Sequence, residues 1–187
     1  MDIELLDVLN EKGEPTGEVR SRDECHRLGL RHRVVHIWII TPNGKILIQR
    51  RSAQRPERPG EWGVGSAAGH VPHQQTSQQA AAQETQEELG LSVTPQELAY
   101  FDTLHRNRDA IINQQTFHYR HIADIYLYER PLTLDQIHPN SEEVAEVQLI
   151  PYPKLEKIVR SGDPTFAPSP IEYEKIFALL HARFPNQ

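Results

Sequence analysis

GHVPHQQTSQQAAAQETQEELGL, Gly69 to Leu91, is the stretch from which the fold of this chain is read. Its centre, Thr76 to Leu89, predicts a helix, because Ala80, Ala81 and Ala82 sit among strong helix formers and Gly90 supplies the stop. Glu84 and Glu88 are four residues apart and Glu84 and Glu87 three apart, so all three carboxylates fall on or near one helix face, within reach of a common ion. Clustered carboxylates repel one another unless a cation stands among them. Hard oxygen donors favour Mg2+ or Mn2+, which in turn bind phosphate oxygens. A solvated acidic helix end is the commoner meaning of Glu-x-x-Glu-Glu. Gly69 ahead of the helix and Gly90-Leu91 behind it set this stretch apart.

Working outward, Val34–Ile40 is a β-branched apolar run, followed by Thr41-Pro42-Asn43-Gly44 and then Lys45–Gln49, the pattern of two strands joined by an Asn-Gly turn. Residues 52–61 hold prolines, a glycine and charges and predict an exposed loop; Trp62–Val71, rich in small residues, predicts an extended segment. Further strands are expected over Tyr100–His105, Thr116–Tyr128 and Glu146–Ile150. Two helices close the chain, Pro153–Arg160 and Pro170–Arg183, the second with proline in its first turn. On the N-terminal side, residues 3–9, a turn at Asn10–Gly13 and a piece reaching Val19 predict a hairpin. Ser21 then caps a short helix that ends at Gly29. The whole predicts an α+β architecture, an α/β/α sandwich, as a single unit over 1–187. Residues 1–30 form an N-terminal hairpin and helix extension, and 152–187 the terminal helices.

Composition narrows the function. A net charge of -6 opposes a polymeric nucleic-acid partner, whose phosphates would demand a basic face. A small phosphorylated ligand stays open, since metal ions can supply positive charge. The opening Met1-Asp2-Ile3-Glu4 has no basic segment or apolar run, and no stretch approaches the length of a membrane span. Cys25 is the single cysteine and fits a reducing compartment as a small packed residue, so a cytoplasmic enzyme is expected.

Gly69–Leu91 resembles the signature of the Nudix hydrolase family: glycine, five residues, glutamate, seven residues, Arg-Glu, an aliphatic residue, any residue, Glu-Glu, any residue, glycine, aliphatic. Gly69, Glu84, Glu87, Glu88, Gly90 and Leu91 match it in spacing; Gln75, Gln83 and Thr85 stand where the family has glutamate, arginine and an aliphatic residue. The resemblance implies a mixed β-sheet flanked by helices and metal-dependent hydrolysis of a diphosphate linkage in a nucleotide or another small organic diphosphate, with Mg2+ or Mn2+ as cofactor. It makes Glu84 the first candidate for catalytic base and Glu88 the persistent metal ligand. Glu87 and the Gly69 carbonyl complete the shell. Gln83 cannot supply the bidentate fork of a guanidinium, and Gln75 brings no charge. These replacements keep a second reading open, a binding module that senses a phosphorylated metabolite without cutting it.

Leu6-Asp7-Val8, Pro15-Thr16-Gly17, Gln49-Arg50-Arg51-Ser52, Pro59-Gly60-Glu61-Trp62 and Gly69-His70-Val71 are similar to the branch that includes isopentenyl-diphosphate isomerase. Those isomerases carry a cysteine where this chain has Ala68. His32 and His70 match their metal-binding histidines, but the later carboxylates are replaced around Tyr119-Arg120-His121. An isomerase is therefore the weakest of the three readings. Arg50 and Arg51 alternate along a strand end, so only one can face the site and clamp phosphate. His70 is the best histidine candidate for substrate contact, and His118, Tyr119 and His121 are expected to border the pocket. Trp62 reads as core or pocket wall, and Glu142-Glu143 as the acidic pair before the last strand or a solvated loop. The resemblance also allows a homodimer. The segment 152–187 would either cap the pocket or meet a second subunit.

Overall fold

The computed structural model describes residues 3–112 and 114–186; Met1, Asp2, Asn113 and Gln187, which belong to the expected 1–187 unit, lie outside the described residues. The first hairpin is β1 (Leu5–Leu9) with β2 (Pro15–Ser21), a separate two-stranded sheet. Ser21 then caps α1 (Arg22–Leu28) through a reciprocal pair with Glu24, and Gly29 ends it in the left-handed conformation, as the sequence predicts.

The main sheet holds β3 (His32–Ile40), β4 (Lys45–Arg51), β5 (Ala67–His70), β6 (Ala99–Ile112), β7 (Gln115–Glu129) and β8 (Val144–Pro151). Its order is β6-β7-β3-β4-β8, with β5 paired to β3. β3 and β7 run parallel and the other described pairs antiparallel, so the sheet is mixed. The expected α+β sandwich is what the chain forms. One face carries Val35, Ile37 and Ile39 against α2 (Ser77–Leu89). The other carries Trp38 and Ile40 against α3 (Tyr152–Arg160) and α4 (Pro170–Arg183). Both faces of β3 are covered, which is why its sequence is apolar without alternation.

α2 is sharply bounded. Thr76 and Gln79 cap its start reciprocally, and Gly90 ends it at φ 65°. The loop before β8 satisfies two of its last carbonyls, with Asn140 and His138 donating backbone N–H groups to Glu88 and Leu89. Thr85, at the aliphatic position of the signature, is fully buried, and its hydroxyl donates to the Ala81 carbonyl at 2.7 Å.

Two elements differ from expectation. Of Trp62–Val71 only Ala67–His70 is a strand, with Trp62 making isolated bridges. Gly65 turns the chain at φ 79°, where an added Cβ would lie 2.7 Å from the Ile37 carbonyl oxygen. β6 extends well past His105, to Ile112, paired with β7. His105 to Asp109 is polar and has no apolar face to advertise a strand; its pairing with β7 makes it one.

Gly90 and Gly162 separate conformation from contact. Both have positive φ, but a Cβ on Gly90 would sit 2.5 Å from the His138 carbonyl oxygen while one on Gly162 would meet nothing within 4 Å. Gly162→Ala is expected to cost about 1 kcal/mol, the left-handed penalty alone, and Gly90→Ala clearly more. Urea unfolding of the two variants checks the ranking, and equal losses would contradict it.

Candidate active site and metal centre

The carboxylates of α2 meet the sheet at β5. Glu88 is buried, and its Oε2 accepts hydrogen bonds from Gln49 Nε2 at 2.7 Å and from the Ala68 backbone N–H at 3.0 Å. Glu84 lies so close to β5 that only glycine fits opposite: a Cβ on Gly69 would fall 1.9 Å from the Glu84 carboxyl carbon. Burial pushes Glu84 up to about 9, with Glu88, Glu87, Glu143 and Glu4 adding repulsion of the same sign. Burial likewise raises Glu88 to about 7 against its two hydrogen bonds. A cation among these groups would relieve both.

Gln75 and Gln83 are not idle replacements. Gln75 Nε2 donates to Gln83 Oε1 at 2.9 Å, and Gln83 Nε2 donates to Glu87 Oε1 at 2.8 Å. A neutral chain of amides thus orients the exposed Glu87, a task the resemblance gives to arginine.

Glu84, Glu87, Gly69 and His70 line a cavity of about 760 Å³. Arg51 lines it too, while Arg50 is turned to the Gly60 carbonyl and to Glu146; of the two expected phosphate clamps, Arg51 is the one on the cavity. Tyr119 and His121 border the cavity, whereas His118 is paired with Asp109 away from it. Glu143 reaches the wall and holds Arg55, while Glu142 is exposed. Trp62 stacks on Phe166 as structural wall. Residues 167–171, leading into α4, close one side, so the C-terminal segment caps the pocket.

Four histidines converge nearby. His26 of α1, His32 of β3, His70 of β5 and His121 of β7 place one nitrogen each within 4.8 Å of one another. All four Nε2 atoms are buried without a hydrogen-bond partner among the described residues. The strand register explains the meeting, because His32 pairs with His121 and Val34 with His70. Burial drives His26 down to about 3 and His32 to about 4, and lowers His70 and His121 well below the ordinary range, so all four are neutral near pH 7. His32 Nδ1–H donates to the Leu30 carbonyl at 2.8 Å, which fixes its tautomer and leaves Nε2 a lone pair. Orphaned lone pairs of this kind fit a metal of borderline softness rather than magnesium. Sequence reading found His32 and His70 through resemblance alone; His26 carried no signal, and His121 was read only as a pocket neighbour. Cys25, beside His26 in sequence, is buried and its thiol is pushed up to about 11, an inert packed residue.

The NUDIX domain profile matches residues 30–169. The chain is 33% identical to Nudix hydrolase 3 of Arabidopsis thaliana over 98% of its own length, yet spans 24% of that protein. It is 32% identical to an uncharacterised Nudix hydrolase of Listeria monocytogenes, over 86% of this chain and 88% of that one. An isopentenyl-diphosphate Delta-isomerase of Jannaschia is 30% identical over 78% of each. Among solved structures, a Deinococcus radiodurans protein superposes with a TM-score of 0.66 at 20% identity, over 97% of this chain and 99% of that one. No helix among the described residues is long and apolar enough to cross a membrane.

The raised Glu84 carboxyl gives a stability prediction for protein stripped of divalent metal. An unfolded glutamate loses its proton near 4.5, whereas folded Glu84 keeps it to about 9. Between pH 7 and 9 the folded state therefore binds more protons than the unfolded one, and stability falls as pH rises. Glu84→Gln is expected to flatten that decline. Urea midpoints of both proteins across this interval test it; parallel curves would contradict it.

Proposed function

The chain belongs to the Nudix family, and from that premise we propose that it is a metal-dependent hydrolase cutting the diphosphate linkage of a nucleotide or another small organic diphosphate. The observation that carries the reading is the meeting of Glu84, Glu87 and Arg51 on one cavity, with Glu88 fixed behind them. Glu84, Glu87, Glu88 and the Gly69 carbonyl would hold a divalent ion such as Mg2+ or Mn2+, which would supply Lewis-acid stabilisation of phosphate charge and acidify the attacking water. Glu84 takes the proton of that water. Glu88 holds its orientation through Gln49 and Ala68, and Arg51 draws a phosphate group to the site.

The sensor reading draws its support from Gln75 and Gln83. Their hydrogen bonds to each other and to Glu87 weigh against it, because the carboxylate is held by a neutral chain instead of lost. Isomerisation is disfavoured by Ala68, which has no proton to exchange. The histidine group, which borders the same cavity, is proposed as a second site for a single transition-metal ion, with His26, His32, His70 and His121 as ligands.

Two measurements test these assignments. A panel of nucleoside and non-nucleoside diphosphates with magnesium or manganese should give metal-dependent cleavage of at least one, and Glu88→Gln should reduce it to background. Tight binding without cleavage across the panel would replace the hydrolase with the sensor; full activity of Glu88→Gln would undo the metal-site assignment. Elemental analysis of protein purified without chelator should find a transition metal that is lost in His121→Ala and kept in Glu88→Gln. The same metal content in all three would discard the histidine site.

A further inference from the structure

A second polar assembly stands at the cavity wall, built around Glu172 in the first turn of α4. Glu172 is fully buried. Its carboxylate accepts Nδ1–H of His36 at 2.9 Å, Nε1–H of Trp38 at 2.9 Å and the Ser169 hydroxyl at 3.1 Å. Burial alone would raise it, yet His36, Trp38 and Arg106 together hold it below the usual carboxylate range, so it is ionised. A buried carboxylate that keeps its charge needs hydrogen bonds and a counter-charge beside it. His36 is in contact and Arg106 lies 3.9 Å away.

Both side chains line the cavity. His36 pairs directly with Ala68 across β3 and β5, so the two side chains share one face of the sheet, and both line the cavity. With Nδ1 committed to Glu172, His36 Nε2 makes no hydrogen bond to a described residue. Arg106 differs from the other arginines on this wall. Arg58 and Arg108 are each closed by a short ion pair, with Glu61 at 2.5 Å and Glu57 at 2.6 Å. Among the described residues Arg106 has no carboxylate nearer than 3.9 Å, and its one hydrogen bond goes to the Pro168 carbonyl at 3.3 Å. The Arg106 guanidinium therefore stands on the cavity with donors to spare.

We propose that Arg106 binds a phosphate oxygen of the substrate, with Glu172 as the positioning residue that holds its guanidinium on the cavity wall. The identity of the ligand rests on the diphosphate reading above; the site itself requires binding and no turnover. Hydrogen bonds from a charged donor to phosphate are short and strong, and the buried Glu172 carboxylate holds the guanidinium against the cavity wall. The arrangement also joins recognition to the C-terminal helix, since Glu172 and Ser169 both belong to the segment that caps the pocket.

The test uses methylene diphosphonate, which cannot be hydrolysed, titrated calorimetrically in the presence of magnesium into the full-length protein. Removing one partner of a buried pair would unsettle the fold, so the first variant changes both: His36→Gln with Glu172→Gln keeps polar groups for Trp38 and Ser169 and removes the carboxylate that holds Arg106. Its melting temperature should stay near wild type while affinity falls at least about tenfold, as expected for a lost charge-assisted bond. The second variant, Arg106→Gln, should lose affinity to a similar degree, and it decides alone if the first does not fold. Unchanged affinity in the folded variants, or a wild type that does not bind the probe, would overturn the proposal. Because binding is read without cleavage, a protein that binds the probe through these residues yet cleaves nothing would sink only the hydrolase reading.

Discussion

The carboxylate of Glu88 is a bolt between three elements. It belongs to α2, and it accepts from Gln49 on β4 and from the backbone of Ala68 on β5. Each bond satisfies a donor that would otherwise be buried and alone, so helix and strands are fixed at hydrogen-bond precision. The cost is a buried negative charge, visible in the raised pKa of both Glu88 and its neighbour Glu84. Close packing against β5 then forces Gly69, because no side chain can share the space that the Glu84 carboxyl occupies. The acidic edge of the cavity is thus a consequence of how the helix is attached.

β5 distributes two chemistries by the two-residue period of a strand. Gly69 lies against the oxygen donors of α2, while Ala68 and His70 face the other side, towards His36 and the histidine group. Hard and borderline donors are therefore held on opposite faces of one short strand, close together without sharing ligands. The separation matters because oxygen and imidazole sites select different ions. It also explains why both can border a single cavity.

The amide chain from Gln75 through Gln83 to Glu87 shows what a neutral substitution preserves and what it loses. Orientation survives, since amides donate and accept in sequence. Positive charge beside the carboxylates does not, so electrostatic relief of the cluster falls more heavily on the bound cation. At the other end of the cavity, the buried Glu172 with His36, Trp38 and Ser169 ties α4 to β3. The terminal helix is consequently part of the pocket.

Local patterns determined much of this protein by sequence alone. The helix from Ser77 to Leu89 was legible because its caps, alanines and terminal glycine act within a few residues of one another. The same holds for the Ser21 cap, the Asn43-Gly44 turn, the α4 boundaries and the clustering of Glu84, Glu87 and Glu88, all of them short-range consequences of spacing. Tertiary structure decided what depends on strand register and on partners far along the chain. Which of Arg50 and Arg51 faces the cavity follows from the sheet, not from their adjacency. His26, His32, His70 and His121 come from four elements and meet only because β3 aligns with β5 and β7 and α1 lies over them. His36 and Glu172 are further apart still, and neither carries a local signature; burial of the carboxylate, which no spacing reveals, is what makes them a pair.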